Sequence, residues 1–462
     1  KKINYTSAFK YALFFKFRVL LAFLQIRKIK KKKHIVIDHT IKQNCLNQQT
    51  LKPEPGNYNL QYLFDKLDND FVILDEVEVP KFSQRNSFKL HSYYFKVHKN
   101  RLNSEYVLFM GFCSGIVRKS TKDRANELAN KYNVIKSELA DPLDILIINL
   151  LISLHASSKF FLFKYFAFRK FFGEYSFKTI SSIDENSPRI KSILDAAKLN
   201  KVYTFGIQHG IIHDLQPNYH FTAEDRKRNV TTDNTLIWGN YWENKLYNQA
   251  NYPENSLKII GFIRTDIIPR LKNNENQKLF GLNKDEQMIV FASQPIKDAD
   301  MRRRVAFDVF AGVKNMKNCK LVVKLHPAEM NDVDYYIDIA NDAGCSDIII
   351  NGTTDLYLMI SKAAIVITSF STVGLESVFF NKPLITIDPL KQDIQSYYKD
   401  KIAFQASNSA ELSDCIQGIL DGSLLFDQEI YNNYLSNQVY KIDGNVSNRC
   451  IEIIKSHNKS NE

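Results

Sequence analysis

Short apolar runs rich in Ile, Val and Phe recur along this chain and alternate with segments of helical length. Runs of this kind are typical of strands in a parallel sheet that helices cover on both faces. The first series predicts strands at residues 34–38, 71–75, 106–110, 178–183, 202–208, 235–238 and 257–261. A second series predicts strands at residues 288–292, 320–325, 347–351, 364–368 and 384–388. The chain is therefore expected to form two parallel sheets of an α/β protein.

The chain is 462 residues long, which exceeds what one hydrophobic core usually supports, so two Rossmann-like domains are expected. The two strand series separate near residues 261–266, just before the polar segment 272–278. We therefore predict an N-terminal domain over residues 34–265 and a C-terminal domain over residues 266–428. The tail, residues 429–462, is expected to be helical and to pack back on the first domain.

The net charge of the chain is +12, and its densest basic cluster is early, at residues 27–33. This cluster directly follows the apolar run 11–26, which Lys16 and Arg18 interrupt. The combination predicts that residues 1–33 form an amphipathic helix on an anionic membrane surface. The protein is then expected to be cytoplasmic and peripheral, on the inner face of the inner membrane.

A second apolar and aromatic stretch, residues 145–172, resembles the first in composition. It fits a membrane-associated helix, and it equally fits a helix buried between domains whose lysines reach solvent. The same alternative applies to the first stretch. Composition does not decide between them.

Cysteine and carboxylate spacing argues against a metal site. The six cysteines are scattered without a C-x-x-C pair, so neither a disulfide framework nor a zinc site is expected, and the compartment is predicted to be reducing. Three Asp-x-Asp pairs lie in polar loops or helix starts and are expected to be solvated; they are residues 68 and 70, 298 and 300, and 332 and 334. No G-x-x-x-x-G-K-[ST] or G-x-G-x-x-G sequence occurs, so no cofactor and no obligatory metal are expected.

The sequence Lys324-Leu325-His326-Pro327 lies where a predicted strand ends and a loop begins. Ligands of doubly wound sheets bind at the carboxyl ends of strands, so His326 is expected to face the crevice. Pro327 fixes the backbone beside it, and an imidazole held in this way can donate to a phosphate oxygen. The competing interpretation is a histidine that only caps the strand.

A second candidate lies about forty residues further on, where a predicted strand runs into a Ser/Thr-rich turn starting at Ser369. Hydroxyls and free N–H groups at a helix N-terminus can bind an anion. Ser371 and Thr372 are the predicted phosphate contacts, and Glu376 is predicted to accept hydrogen bonds from a ribose. The alternative is a helix cap with a surface glutamate.

At this point the sequence resembles a known group, the C-terminal half of GT-B enzymes of bacterial surface polysaccharides. The group includes sialyltransferases and polysialyltransferases, capsule Kdo transferases and CDP-glycerol glycerophosphotransferases. The resemblance covers roughly residues 178–407 and implies that the His-Pro and hydroxyl motifs hold a cytidine phosphate. The matching segments are His326-Pro327, Ser371-Thr372, Gly374-Leu375-Glu376, Asn381-Lys382-Pro383-Leu384-Ile385, Asp355-Leu356-Tyr357 and Ser293-Gln294-Pro295. Gln294 thereby joins the predicted donor-binding residues.

The N-terminal half contributes candidates for the chemistry itself, at the ends of two predicted strands. A carboxylate at Asp184 or Glu185 is positioned to remove a proton from an acceptor hydroxyl. His209 is predicted to act as a base or oxyanion partner, with Gln208 and Gly210 beside it in the cleft. The alternatives are a solvated cap over the next helix for the carboxylates and a packing role for the histidine.

The resemblance at these positions is partial. Sialyltransferases of this architecture carry an acidic-acidic-Gly motif here, whereas this chain has Asn186 in the third position. The pair His209-Gly210 resembles the His-Gly pair of glycerophosphotransferases. The departure at Asn186 weakens a specifically sialyltransferase assignment.

The leading hypothesis is transfer of a CMP-activated sugar acid, of sialic acid or Kdo type, from a nucleotide-sugar donor onto a surface glycan or glycolipid acceptor. The alternative enzyme is a CDP-glycerol-type polyol-phosphate transferase, for which His209 and His326 form the central pair. A non-catalytic membrane or nucleic-acid binder is the third hypothesis. Because the C-terminal half has no basic stripe with interleaved aromatics, no nucleic-acid partner is expected.

Overall fold

The computed structural model describes residues 5–39, 42–76, 100–213, 216–274, 279–283 and 285–457. Its strands are β1 His34–Asp38, β2 Gln43–Leu46, β3 Pro53–Gly56, β4 Phe71–Asp75, β5 Arg101–Asn103, β6 Thr179–Ser182, β7 Tyr203–Ile207, β8 Asn234–Ile237, β9 Leu257–Ile259, β10 Gln287–Ala292, β11 Cys319–Lys324, β12 Ile348–Asn351, β13 Ile365–Thr368, β14 Leu384–Ile387 and β15 Phe404–Ala406.

The helices follow in chain order. They are α1 Tyr5–Ile29, α2 Gln61–Lys66, α3 Glu105–Cys113, α4 Gly115–Glu138, α5 Pro142–Glu174, α6 Pro188–Leu199, α7 Ala223–Lys227, α8 Asn240–Gln249, α9 Ile268–Lys272, α10 Ala299–Val313, α11 Val333–Asp342, α12 Leu356–Lys362, α13 Val373–Phe379, α14 Ser409–Leu420, α15 Gln428–Val439 and α16 Val446–Ser456. Short 3-10 turns occupy Pro217–Tyr219, Ile263–Ile267 and Pro327–Glu329.

The strands form two parallel sheets and one small hairpin, β2-β3. The first sheet has the order β5-β4-β1-β6-β7-β8-β9, and the second has the order β12-β11-β10-β13-β14-β15. All neighbours within these two sheets run parallel. The prediction of two Rossmann-like sheets in one α/β chain is therefore confirmed.

Both faces of each sheet are covered, which explains the continuous apolar runs in the sequence. In β1, Ile35 and Ile37 pack into a core with Phe168 of α5, while Val36 packs into a core on the opposite face. In β10, Val290 belongs to the same core as Val36. Alternate residues of a strand point to opposite faces of its sheet. Because Val36 and Val290 belong to the same core, that apolar core continues from the first sheet to the second.

One predicted strand is wrong. Residues 106–110 belong to helix α3, Glu105–Cys113, rather than to the sheet. A run of five apolar residues fits a buried helix as well as a buried strand, because its periodicity is too short to separate the two. The edge strand next to β4 is instead β5, the three residues Arg101–Asn103, and the short edge strand β15 was also not predicted.

The C-terminal tail packs against the N-terminal half, as predicted. Helix α16 lies beside α2, and the Asp266 carboxylate accepts hydrogen bonds from the N–H groups of Val446 and Ser447 at 2.7 and 2.9 Å. The indole Nε1 of Trp242 donates to the carbonyl of Gln438 at 3.1 Å. These bonds tie both tail helices to the first sheet and its linker.

Helix α1 also packs on the first domain, against β5 and α3. Its inner side carries Arg18, which is almost fully buried and forms ion pairs with Glu105 at 2.6 Å and Asp75 at 3.4 Å. No single helix of the described chain is long and apolar enough to span a membrane. The two parts of α5, Pro142–His155 and Ser158–Glu174, reach that length and composition only as a pair bent by 59°.

Candidate active site

Three titratable side chains meet at the carboxyl end of the first sheet. His39 directly follows β1, Asp184 follows β6 and His209 follows β7. Strands β1, β6 and β7 are neighbours in the sheet, so their carboxyl ends bring these loops together. The structure thus unites Asp184 and His209, both predicted from sequence, with His39, which was not.

The Asp184 carboxylate bridges the two imidazoles. Its Oδ2 lies 3.1 Å from Nε2 of His39, and its Oδ1 lies 3.2 Å from Nε2 of His209. The backbone of Asp184 has a φ of 54°, the left-handed region that is unfavourable for a residue with a Cβ. The side chains of Asp184 and His209 are 45% and 25% exposed, so this pair is accessible from solvent, whereas the His39 side chain is only 6% exposed.

Asp184 and His209 shift each other's pKa. The hydrogen bonds from His209 and His39, with their charges, hold the pKa of the Asp184 carboxyl far below its usual range. Burial alone lowers the pKa of His209, but the hydrogen bond and charge of Asp184 outweigh it, and the pKa is raised. The pair therefore stabilises the ionised form of Asp184 and the protonated form of His209 relative to the isolated groups.

Glu185 differs sharply from its neighbour Asp184. Its side chain is buried at 3% exposure, and neither oxygen has a hydrogen-bond partner among the described residues. Burial raises the pKa of its carboxyl to about 7. The carboxyl lies against Gly206 of β7, where an added Cβ would come within 2.5 Å of Oε1. Neither the Asp184 nor the Glu185 side chain caps helix α6, whose N-cap residue is Ser187, and the Ser187 side chain makes no capping bond either.

Gln208 and Gly210, the two predicted residues on either side of His209, shape the loop that carries it. The Gln208 side chain donates to the carbonyl of Gly210 at 3.1 Å and accepts from the N–H of Trp238 at 3.0 Å. Gln208 therefore fixes the loop that carries His209. Gly210 borders open space, because an added Cβ would contact no atom within 4 Å.

The second sheet presents the predicted donor residues at its own carboxyl edge. The N–H of His326, which follows β11, donates to Oγ of Ser293 at 3.0 Å, and Nδ1 of its ring accepts from the N–H of Ala328 at 3.1 Å. A neutral His326 consequently carries its proton on Nε2. Pro327 begins the 3-10 turn that supplies Ala328.

The turn between β13 and α13 contains Ser369 to Thr372. Oε1 of Gln294, after β10, accepts from the N–H of Phe370 at 2.8 Å and so ties the turn to the neighbouring strand end. Among the described residues, no group accepts from the N–H of Ser371 or of Thr372. Ser369 and Phe370 also line a cavity of about 220 Å³ that extends to Asp388 and Tyr397.

Glu376, the predicted ribose contact, pairs with a cation of the protein itself. Its Oε1 lies 3.3 Å from the guanidinium of Arg264, which is almost completely buried in the segment joining the two sheets. That guanidinium stacks between the rings of Tyr58 and Tyr357, at 3.3 and 4.2 Å from their centroids. The carboxylate therefore joins an interdomain cluster, and sequence gave no signal for the role of Arg264.

A second cavity, of about 370 Å³, lies between the two halves of the molecule. Its walls come from the loop after His209, from α8, from residues 394–400 and from the tail. Tyr397 and Ile394 line both cavities, so the two are adjacent. The loop that carries His209 therefore leads into the interdomain space beside the donor residues.

Within the described chain, no group of three or more His, Cys, Asp or Glu side chains is arranged to hold a metal ion. The acidic pairs of the sequence serve local roles. Asp298 caps α10, Asp332 pairs with Arg302 at 2.6 Å, and Asp68 contacts Lys455.

These two facing Rossmann-like sheets, with a tail that returns to the first, define the class of the protein as the GT-B fold. No model of a protein family matches the sequence, and no curated protein matches it.

Solved structures share the fold at low identity. The UDP-GlcNAc 2-epimerase of Neisseria meningitidis, bound to UDP-GlcNAc, is 11% identical over 92% of this chain and 100% of its own, with a TM-score of 0.56. The UDP-GlcNAc 2-epimerase of Methanocaldococcus jannaschii is 12% identical over 92% and 99%, with a TM-score of 0.54.

Proposed function

We propose that this chain is a transferase that moves a sugar or polyol phosphate from a nucleotide-linked donor onto an acceptor hydroxyl. The observation that carries the proposal is the Asp184 carboxylate, half-exposed and bridging His39 and His209 at three adjacent strand ends. A solvated carboxylate at a sheet edge has no structural need of two imidazole partners. Groups whose environments push their pKa values apart are typical of acid-base sites.

In the proposed reaction, each of these side chains has one role. The acceptor hydroxyl donates to Asp184, and its proton passes to His209 when that imidazole is neutral. The acceptor oxygen then attacks the donor, and the bond from the transferred group to the nucleotide phosphate breaks. His39 keeps the carboxylate oriented through Oδ2. The leaving phosphate takes hydrogen bonds from His326 and from the free N–H groups of Ser371 and Thr372.

The donor that we favour is cytidine-linked, either a CMP-activated sugar acid or a CDP-linked polyol phosphate. Support comes from the resemblance of the His326-Pro327 and Ser371-Thr372 motifs to surface-polysaccharide enzymes. The UDP-GlcNAc bound to the Neisseria epimerase supports the broader class of nucleotide-linked sugars. The acceptor in this proposal is a surface glycan or glycolipid, and the reaction needs no metal ion.

The polyol-phosphate alternative assigns His209 and His326 as the central pair. It differs from sugar transfer in the product, because the phosphorus of the donor is transferred with the polyol. Incubation with CMP-sialic acid, CMP-Kdo, CDP-glycerol and UDP-GlcNAc, followed by mass spectrometry of the acceptor, separates these donors. Epimerisation of UDP-GlcNAc without transfer would replace the proposal with a different reaction on the same fold.

The test of the site uses two groups of variants. Asp184→Asn and His209→Ala are expected to bind CMP or CDP as the unchanged protein does and to lose about 100-fold or more in kcat. His326→Ala and Ser371→Ala are expected to lose nucleotide affinity in calorimetric titration. His220→Ala is the matched control, because its imidazole lies outside the cluster and bonds to the carbonyl of Gln249. Unchanged turnover in folded Asp184→Asn and His209→Ala would refute the assignment.

A further inference from the structure

Helix α1 has two different long faces. Its inner face, which packs on the domain, includes Phe14, Arg18, Ala22 and Ile26, all buried. Its outer face exposes large apolar side chains at spacings of three and four residues, which places them on one stripe of a helix. These are Phe9, Leu13, Phe17, Leu20 and Leu24. The exposed stripe is therefore a surface of the folded domain, separate from its core.

Helix α5 exposes a similar stripe along its first half. Leu143, Leu146, Leu150 and Leu154 are all exposed, and their spacing of three or four residues again places them on one side. The second half of the same helix is buried through residues such as Phe168 and Phe171. The exposed leucines of α5 thus lie in its first half, whereas the core residues Phe168 and Phe171 lie in its second half.

Helix α3 contacts both α1 and α5. Phe23 of α1 packs edge-on against Tyr106 of α3 at 5.2 Å, and Gly111 of α3 lies so close to Ala167 of α5 that an added Cβ would come within 2.6 Å of its Cβ. Phe112 of α3 is itself exposed. We call the exposed apolar residues of α1, α3 and the first half of α5 the helical face.

Basic side chains continue the stripe of α1. Arg27 and Lys28 follow Leu24 by one turn, and Lys30 and Lys31 follow them, all exposed. Soluble monomers rarely expose a contiguous apolar stripe such as that of α1, and basic residues beside such a stripe match anionic lipid headgroups. A protein partner would need complementary acidic groups beside an apolar surface, whereas an anionic bilayer offers apolar chains and phosphates together.

We propose that the helical face docks the protein on the surface of an anionic lipid bilayer, with the apolar stripes in the acyl boundary and residues 27–31 among the headgroup phosphates. Lipid binding requires neither donor nor acceptor, so this proposal goes beyond the proposed function and is independent of it. Docking by the first domain would hold the interdomain cavity near acceptors that are themselves anchored in lipid.

The experiment measures binding of the full chain to vesicles of phosphatidylcholine alone and with phosphatidylglycerol. The triple variants Leu13→Gln/Leu20→Gln/Leu24→Gln and Leu146→Gln/Leu150→Gln/Leu154→Gln are each expected to weaken binding about 100-fold, because each loses three apolar side chains from the interface. Leu425→Gln is the matched control, an exposed leucine of the other half of the molecule. Circular dichroism and nucleotide titration confirm that the variants stay folded.

A second measurement reports depth. The native Trp238 and Trp242 are buried, so a tryptophan at an exposed position gives a distinct signal. Leu20→Trp is expected to shift its emission to the blue and to be quenched by brominated lipid only with anionic vesicles at low salt, whereas Leu425→Trp should not respond. Vesicle binding unchanged in both triple variants would overturn the proposal. So would a dimer that the triple variants dissociate while lipid binding is absent, since the occupant would then be a second copy of the chain.

Discussion

The substitution Glu185→Gln tests the electrostatics of the candidate site through stability alone. The carboxyl of Glu185 is buried, has no hydrogen-bond partner among the described residues, and has a folded-state pKa raised to about 7 from an ordinary value of 4.5. A raised carboxyl pKa means that the folded state holds a proton that the unfolded state releases. Stability from this group is therefore greatest below pH 4.5 and is lost progressively as pH rises to about 7.

The magnitude follows from the two pKa values. At 1.36 kcal/mol for each pH unit, the interval from 4.5 to about 7 corresponds to about 3 kcal/mol of destabilisation of the unsubstituted protein above pH 7. Glutamine has the shape of the protonated acid but does not ionise. The variant should therefore gain up to about 3 kcal/mol relative to the unsubstituted protein between pH 5 and pH 8.

The assay is urea unfolding of both proteins at pH 5 and pH 8. The quantity of interest is the change, from pH 5 to pH 8, in the stability difference between the two proteins. Any constant cost of placing an amide beside Gly206 is the same at both pH values and cancels in this quantity. All other titrating groups cancel likewise, provided that they do not contact Glu185. A difference that does not change with pH, or that changes in the opposite direction, would show that Glu185 is not a buried, uncompensated carboxyl.

Three further outcomes are expected. In a pH profile of kcat/KM, activity should rise with pH through the raised pKa of His209, and Asp184→Ala should move that limb to lower pH because it removes the charge that raises the pKa. Arg18→Leu should lower the free energy of unfolding by about 3 to 5 kcal/mol, measured in urea at pH 7, because Glu105 is left buried without its cation and Asp75 keeps only Arg101, at 3.8 Å. Arg264→Leu should cost about 2 to 4 kcal/mol in the same assay, and equal stability would show that its bond to Glu376 is not formed.

The parallel strands could be located from the sequence because a buried strand leaves a signal within its own few residues. Buried parallel strands have apolar runs, and strands β10 to β14 were all located by them. The exceptions are instructive. The run at 106–110 is apolar because both sides of α3 meet other helices, and β5 and β15 are only three residues long, too short for a pattern.

The candidate site was accessible to sequence reasoning only in part. Asp184 and His209 are in motifs at predicted strand ends, whereas His39 follows β1 with no motif around it. The pair His39 and Asp184 is 145 residues apart in the chain and meets only because β6 is inserted next to β1 in the sheet. Strand order is a tertiary property, so no local spacing predicts that neighbourhood. The one signal was that His39, too, directly follows an apolar run.

Helix α1 shows why an interrupted apolar run needs a structure to be understood. The sequence offers Lys16 and Arg18 as two equivalent interruptions of a membrane-facing stripe. Lys16 is indeed exposed with the outer face, but Arg18 is on the inner face, buried against Asp75 and Glu105. The helix therefore has apolar residues on both long faces for different reasons. Those of the inner face pack on α3 and β5, and those of the outer face form the exposed stripe. Removing residues 1–33 would take away both, so only substitutions on the outer stripe separate lipid docking from folding.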